Sequence, residues 1–80
     1  MREHITIRRS TEADQAAIFR LALLDDRAAP SGDTILAFVG DELRAAMPLA
    51  QRDRFVADPF HLTNDVVRLL EAQATQEAAA

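Results

Sequence analysis

Few residues in this sequence could carry out chemistry together. His61 and Asp65 lie four positions apart, so one turn of helix would bring an imidazole beside a carboxylate. Such a pair could orient a general base or contribute to a metal site. Alternatively, His61 lies in the loop before the final helix, and Asp65 interacts only with the positive end of the helix dipole. No third ligand or nucleophile accompanies the pair, which favours the second interpretation.

Two adjacent arginines form the second candidate site. Arg8 and Arg9 could bind an anion beside the start of the helix that follows them. More often, such charged residues lie on a solvated edge strand and discourage it from pairing with another strand. Glu42 and Asp53 fall in predicted turns, where acidic residues are common for structural reasons alone. We therefore assign neither a catalytic residue nor a metal site.

The composition is typical of one small, acidic, globular domain. The 80 residues are 49 % hydrophobic and 28 % charged, and the lack of cysteine excludes disulfides and thiolate chemistry. A net charge of −4 argues against nucleic acid as a partner. No apolar stretch reaches the roughly 18 residues of a membrane span, and the first residues lack a signal-peptide core, so we expect a cytoplasmic protein. All nine basic residues are arginine, a bias typical of GC-rich bacterial genomes.

The predicted elements follow the order β-α-β-β-β-α. His4–Arg9 alternates between polar and apolar residues, with Ile5 and Ile7 on one face, and this pattern predicts a strand. A helix is predicted over Glu12–Asp26, with Thr11 as its N-cap and Asp14, three residues on, completing a weak form of the capping box. Its apolar residues form a broad face that should lie on a sheet: Ala17, Ile18, Phe19, Leu21, Ala22, Leu23 and Leu24. The two aspartates that end this segment are unfavourable at the negative end of a helix dipole.

Three short apolar runs in the middle of the chain predict an antiparallel meander. They are Thr34–Val39, Leu43–Ala50 and Arg54–Ala57, separated by short polar connections. Gly40 is the first residue of a two-residue turn, as a type II′ hairpin prefers. Pro48 cannot donate a hydrogen bond to a neighbouring strand, so its strand should be at an edge or bulged there.

The final helix is predicted to begin near Thr63, with Asn64 and Asp65 in its first turn. The end of this helix has no obvious apolar anchor, so we expect a single domain over residues 1–76 and a frayed tail over residues 77–80. The stripe that should cover the meander consists of Val66, Leu69, Leu70 and Gln73, extended by Val67 and Ala74.

Three stretches of the chain share a pattern with one known family. Ile7–Asp14 reads IRRSTEAD, Ala37–Ala45 reads AFVGDELRA, and Val56–Leu70 reads VADPFHLTNDVVRLL. With the element order, these stretches resemble the GNAT superfamily of acyl-CoA-dependent N-acetyltransferases. The resemblance spans roughly Ile5–Ala72 and covers the N-terminal half of the family's fold. It implies an α+β half-domain in which an antiparallel meander sheet is covered by two helices.

The same resemblance bears on cofactor binding. In that family a glycine-rich loop with an arginine holds the pyrophosphate of acyl-CoA, whereas this chain has Leu62, Thr63, Asn64 and Asp65 there. Glycines let the backbone approach a phosphate closely, and a carboxylate in the first turn of a helix repels it. The family's usual tyrosine acid is also missing, because the chain contains no tyrosine. The resemblance therefore implies a degenerate loop and no cofactor.

Two functions remain open at this point. The first is a non-catalytic half-domain that acts through self-association or by binding a protein partner. The free edge of Arg54–Ala57, together with the last helix, would then form a two-fold homodimer interface. The alternative is a minimal N-acetyltransferase that binds acetyl-CoA in a site assembled across a dimer or with a second chain. The predicted interface consists of Arg54, Phe55, Val56, Phe60, Val67 and Leu70.

Overall fold

The structure, a computed structural model, describes residues 4–60 and 64–79. The strands form one open antiparallel sheet in the order β1-β2-β3-β4. The predicted α+β class, with an antiparallel meander and two helices, is confirmed. Two short 3-10 turns, Glu12–Asp14 and Arg52–Arg54, precede α1 and β4. In chain order the elements are β1 (Ile5–Arg9), α1 (Gln15–Leu24), β2 (Thr34–Val39), β3 (Glu42–Pro48), β4 (Val56–Ala57) and α2 (Asn64–Ala79).

Each helix packs on its own face of the sheet. Successive residues of a strand point to opposite faces, so the continuous apolar run of β2 supplies both layers of the core. The layer under α1 consists of Ile18, Leu21, Ala22, Leu36, Ala46 and Val56. The layer under α2 consists of Ile35, Ala37, Ala45, Met47, Val66, Leu70 and Ala74.

α1 ends at Leu24, two residues before the predicted end. Asp26 has a φ of 52°, in the left-handed region that glycine usually occupies at helix ends. The N–H of Arg27 donates to the carbonyl of Ala22 at 3.0 Å, and the N–H of Asp26 donates to that of Leu23 at 3.3 Å. These two bonds form a Schellman motif. Asp25 and Asp26, the acidic residues that disfavour a longer helix, therefore lie in the turn that ends α1.

An irregularity in β3 decides which way its side chains face. Ala37 pairs with Ala45, whereas the next residue, Phe38, pairs with Leu43. Arg44 is therefore an extra residue, a β-bulge, and the alternation of side chains shifts by one at this point. As a result Leu43 joins Phe38 under α1, while Ala45 remains in the layer under α2.

The second half of the meander is shorter than predicted. The predicted strand Leu43–Ala50 ends at Pro48, and only Val56–Ala57 of the predicted Arg54–Ala57 is a strand. The residues before it form the 3-10 turn Arg52–Arg54. Pro48 lies beyond the stretch of β3 that β4 pairs with, so its missing N–H is tolerated without a bulge there.

α2 continues to Ala79, through the segment predicted to fray. Ala74, part of the predicted apolar stripe, is 1 % exposed and anchors the second half of α2 on the sheet. Glu77 accepts a hydrogen bond from Nη2 of Arg9 at 2.7 Å, and this guanidinium lowers the pKa of the Glu77 carboxyl. The frayed tail over residues 77–80 stays a prediction, and the predicted N-cap Thr63 lies outside the described residues.

Candidate interaction surface

The two arginines considered as an anion site are both engaged in ion pairs. Arg8 donates from its two Nη atoms to the two carboxylate oxygens of Asp14, each at 2.9 Å, and its guanidinium lies 4.8 Å from the ring centre of Phe38. Arg9 pairs with Glu77. Both arginines belong to β1, an edge strand of the sheet, where charged residues limit edge-to-edge association. The geometry therefore favours the structural interpretation over the anion site.

Asp14 links β1 to the start of α1. Besides its contact with Arg8, its Oδ2 accepts the backbone N–H of Thr11 at 2.7 Å, so these two residues pair as predicted at the helix start. The Arg8 guanidinium, and after it the Thr11 N–H, hold the pKa of Asp14 well below its usual range. The Arg8 side chain is 44 % exposed, so water screens part of this attraction.

We expect Asp14→Asn to remove a pH-dependent part of the stability. The pKa of Asp14 is lower in the folded chain, so its ionised form stabilises the fold above about pH 4, the usual pKa of aspartate in unfolded chains. This contribution is lost as the pH falls through that value toward the folded-state pKa. When the pH is lowered from about 6 to about 2, the free energy of unfolding measured with urea should fall by about 1–2 kcal/mol more for the unsubstituted chain than for Asp14→Asn.

A matched control is Asp41→Asn, which removes an exposed carboxylate that has no ion pair among the described residues. Its stability should follow that of the unsubstituted chain at every pH. Parallel pH curves for Asp14→Asn and the unsubstituted chain would contradict the role given to Asp14.

The loop compared with a phosphate-binding loop falls partly outside the described residues. His61, Leu62 and Thr63 lie outside them, whereas Asn64 and Asp65 begin α2 and are exposed. The Asp65 carboxylate is therefore in the first turn of α2, where it would repel an anion approaching the helix. The degenerate loop stays a prediction.

The residues predicted to form a dimer interface do not share one surface. Val56 and Leu70 are fully buried in the core of a single chain, so their side chains are not available to a partner. The other four lie nearer the surface: Phe55 and Val67 are half-buried against the layer under α2, and Arg54 and Phe60 are exposed.

The edge of β4, on which the predicted interface depends, is already occupied. The N–H of Ala57 donates to Oδ2 of Asp25 at 3.1 Å, and the carbonyl of Phe55 accepts from Nη1 of Arg27 at 3.3 Å. The Arg27 guanidinium also lies 5.5 Å from the ring centre of Phe55. We term these contacts the β4 clasp. They satisfy backbone groups that a partner strand would need, so pairing of two chains through this edge is disfavoured.

An exposed apolar surface lies instead on the outer face of α1. Phe19 is 59 % exposed and Leu23 is 67 % exposed. They are four residues apart and therefore adjacent on the helix, with the exposed Ala16 one turn before them. We term Ala16, Phe19 and Leu23 the outer stripe. Leu24, 46 % exposed, lies beside it.

This exposure corrects the prediction that the whole apolar face of the helix lies on the sheet. Only Ile18, Leu21 and Ala22 of α1 are buried, because a single helix on a flat layer covers a limited part of its circumference. The sequence already contained the signal, since apolar residues at nearly every position from 16 to 24 cannot all face one side.

Among residues 4–60 and 64–79, no group of three His, Cys, Asp or Glu side chains could hold a metal ion. Neither of the described helices is long and apolar enough to cross a membrane. No protein-family model, curated protein or solved structure matches the chain. Fold and surface together define an α+β domain whose first helix presents an apolar stripe to solvent.

Proposed function

We propose that the chain is a non-catalytic, GNAT-like half-domain that forms a homodimer through the outer stripe of α1. The observation that carries this proposal is the exposure of Phe19 and Leu23, each more than half in solvent. With Leu24 they leave on the order of 300 Å² of apolar surface, a size at which patches on soluble proteins often mark an interaction site. The element order and the placement of one helix on each face support the GNAT-like part of the proposal.

α1 suits a contact between two identical surfaces. A two-fold axis crossing the helix between Phe19 and Leu23 sets Phe19 of one copy against Leu23 of the other. A ten-residue helix is about 15 Å long, so the contact is small and a micromolar dissociation constant is expected.

The size of the core gives a second reason for self-association. The two core layers of this domain are small, and the sequence has no cysteine that could form a disulfide to compensate. Small domains of this kind often gain stability by oligomerisation. Burial of the outer stripe in a dimer would supply this stability, because each apolar side chain removed from water stabilises the assembly.

We expect the double substitution Phe19→Gln and Leu23→Gln to weaken dimerisation at least 100-fold. The substitutions remove the apolar contact and leave polar side chains that are readily solvated. Sedimentation equilibrium between about 1 and 200 μM measures the effect. A chain that is monomeric throughout this range, or a double variant that dimerises as before, would refute self-association through the stripe.

The matched control is Leu69→Gln, which changes an exposed leucine of the other helix. Leu69 is 44 % exposed and lies on α2, away from the outer stripe. Its substitution should leave the dissociation constant within about twofold. If Leu69→Gln weakens dimerisation as much as the double variant does, the contact between the two copies lies on α2 instead.

The non-catalytic part of the proposal has its own test. Calorimetry with acetyl-CoA at about 0.1 mM protein should show no binding, since the first turn of α2 carries the Asp65 carboxylate. A dissociation constant below about 100 μM, roughly −5.5 kcal/mol, would favour the minimal N-acetyltransferase instead. Because this titration does not depend on the outer stripe, the two parts of the proposal can fail separately.

A further inference from the structure

We infer that the cleft between residues 27–31 and residues 48–54 binds a small organic monocarboxylate. The cleft has a volume of about 800 Å³, within the usual size of small-molecule sites. One wall is the loop that follows α1, and the other is the end of β3 with the segment between β3 and β4. It involves neither the outer stripe nor the start of α2.

Two guanidinium groups give the cleft its preference for an anion. Arg27 lies on one wall and Arg54 on the other, and Arg54 forms no ion pair within residues 4–60 and 64–79. Planar guanidinium groups bind carboxylates through two parallel hydrogen bonds. In a chain with a net charge of −4, two arginines facing one cleft are a local exception to the acidic balance.

Arg27 is held in place before any ligand arrives. Its Nη1 donates to the Phe55 carbonyl at 3.3 Å, and its Nε lies 3.5 Å from Oδ2 of Asp25. A guanidinium has five N–H donors, so these contacts leave others for a carboxylate. A positioned arginine loses less conformational entropy when it binds.

The rest of the lining sets the size and charge of the ligand. Asp53 also lines the cleft and Asp25 pairs with Arg27, so Arg54 is the main source of positive charge, which favours a monoanion over a polyphosphate. Pro30 and Pro48, with three alanines, form apolar parts of the walls, and the fixed φ of proline keeps both walls preformed. A carboxylate attached to an aryl or alkyl body fits this combination.

The test is a titration of ¹⁵N-labelled protein with phenylacetate, followed by amide chemical shifts. We expect saturable shifts in residues 27–31 and 48–54, and at least tenfold weaker binding of phenylacetamide, which has the same body without the charge. Arg54→Gln should weaken phenylacetate binding at least tenfold. Absence of saturable shifts, or equal binding of the acid and the amide, would overturn the inference.

Arg52→Gln is the matched control, because it removes an arginine of the same turn that is engaged elsewhere. Its Nη1 donates to Oγ1 of Thr75 at 3.0 Å, so it should leave phenylacetate binding within twofold. If Arg54→Gln binds phenylacetate as tightly as the unsubstituted chain does, the cleft is not the site. The dimer test above is unaffected by either result, since the two surfaces are separate.

Discussion

Replacing Asp58 with alanine is expected to lower the free energy of unfolding by about 3 kcal/mol. Oδ2 of Asp58 lies 2.8 Å from Nη1 of Arg44, and the two side chains are only 6 % and 16 % exposed. The other oxygen of Asp58 accepts the N–H of Phe60 at 2.8 Å. Removing the carboxylate takes a buried anion away from the Arg44 guanidinium, and Glu42, which also pairs with Arg44 at 3.0 Å, is 70 % exposed and is largely screened by water.

Urea unfolding at a fixed protein concentration measures this loss, and a fall in melting temperature of more than about 10 °C should accompany it. Asp58→Asn keeps an oxygen for the Phe60 N–H and should lose less. In the background of Arg44→Met, where no cation remains, Asp58→Ala should cost at least about 1 kcal/mol less than it does alone. A change below about 0.5 kcal/mol in the single variant would show that the ion pair does not stabilise the fold.

The second large effect is expected from Leu70→Ala, at about 3 kcal/mol. Leu70 is fully buried, and the other α2 residues in the same layer are the smaller Val66 and Ala74. Truncating Leu70 therefore removes the largest side chain that holds α2 on the sheet and leaves a cavity. In urea unfolding followed by the helical signal, the cooperative transition of Leu70→Ala should shift to a lower denaturant concentration.

Leu69→Ala is the control for this prediction, since it makes the same chemical change one position earlier in the same helix. Leu69 is 44 % exposed, so its truncation should cost less than about 1 kcal/mol. Similar losses for the two variants would mean that α2 packs on the sheet through a different face. Both variants replace leucine with alanine in the same helix, so the change in intrinsic helix propensity is the same for the two.

Several elements could be predicted because their signals are local. The run Thr34–Val39 is apolar throughout and bounded by glycine and aspartate, and β2 has the predicted bounds. Gly40, with a φ of 63°, occupies the predicted turn between β2 and β3. Thr11 and Asp14 are close in sequence, and their pairing at the helix start follows from spacing alone.

The remaining features depend on contacts between distant parts of the chain. The pattern of α1 shows that apolar residues are present but not which of them the sheet covers, so it predicts the wrong environment for Phe19 and Leu23. A bulge shifts the strand pairing by one residue, and no sequence pattern near Arg44 predicts it. The contact of Asp25 with Ala57 joins residues 32 positions apart, which no local rule can anticipate.

The β4 clasp also determines how the last strand is assembled. Two residues make too few backbone bonds to remain paired by themselves, so β4 should dock only after the end of α1 is in place. Contacts between residues far apart in the sequence form slowly, so the docking of β4 against the end of α1 should come late in folding. Deuterium uptake at the Ala57 amide would then follow the opening of the helix end and not that of the β2–β3 hairpin, which makes one edge amide a reporter on α1.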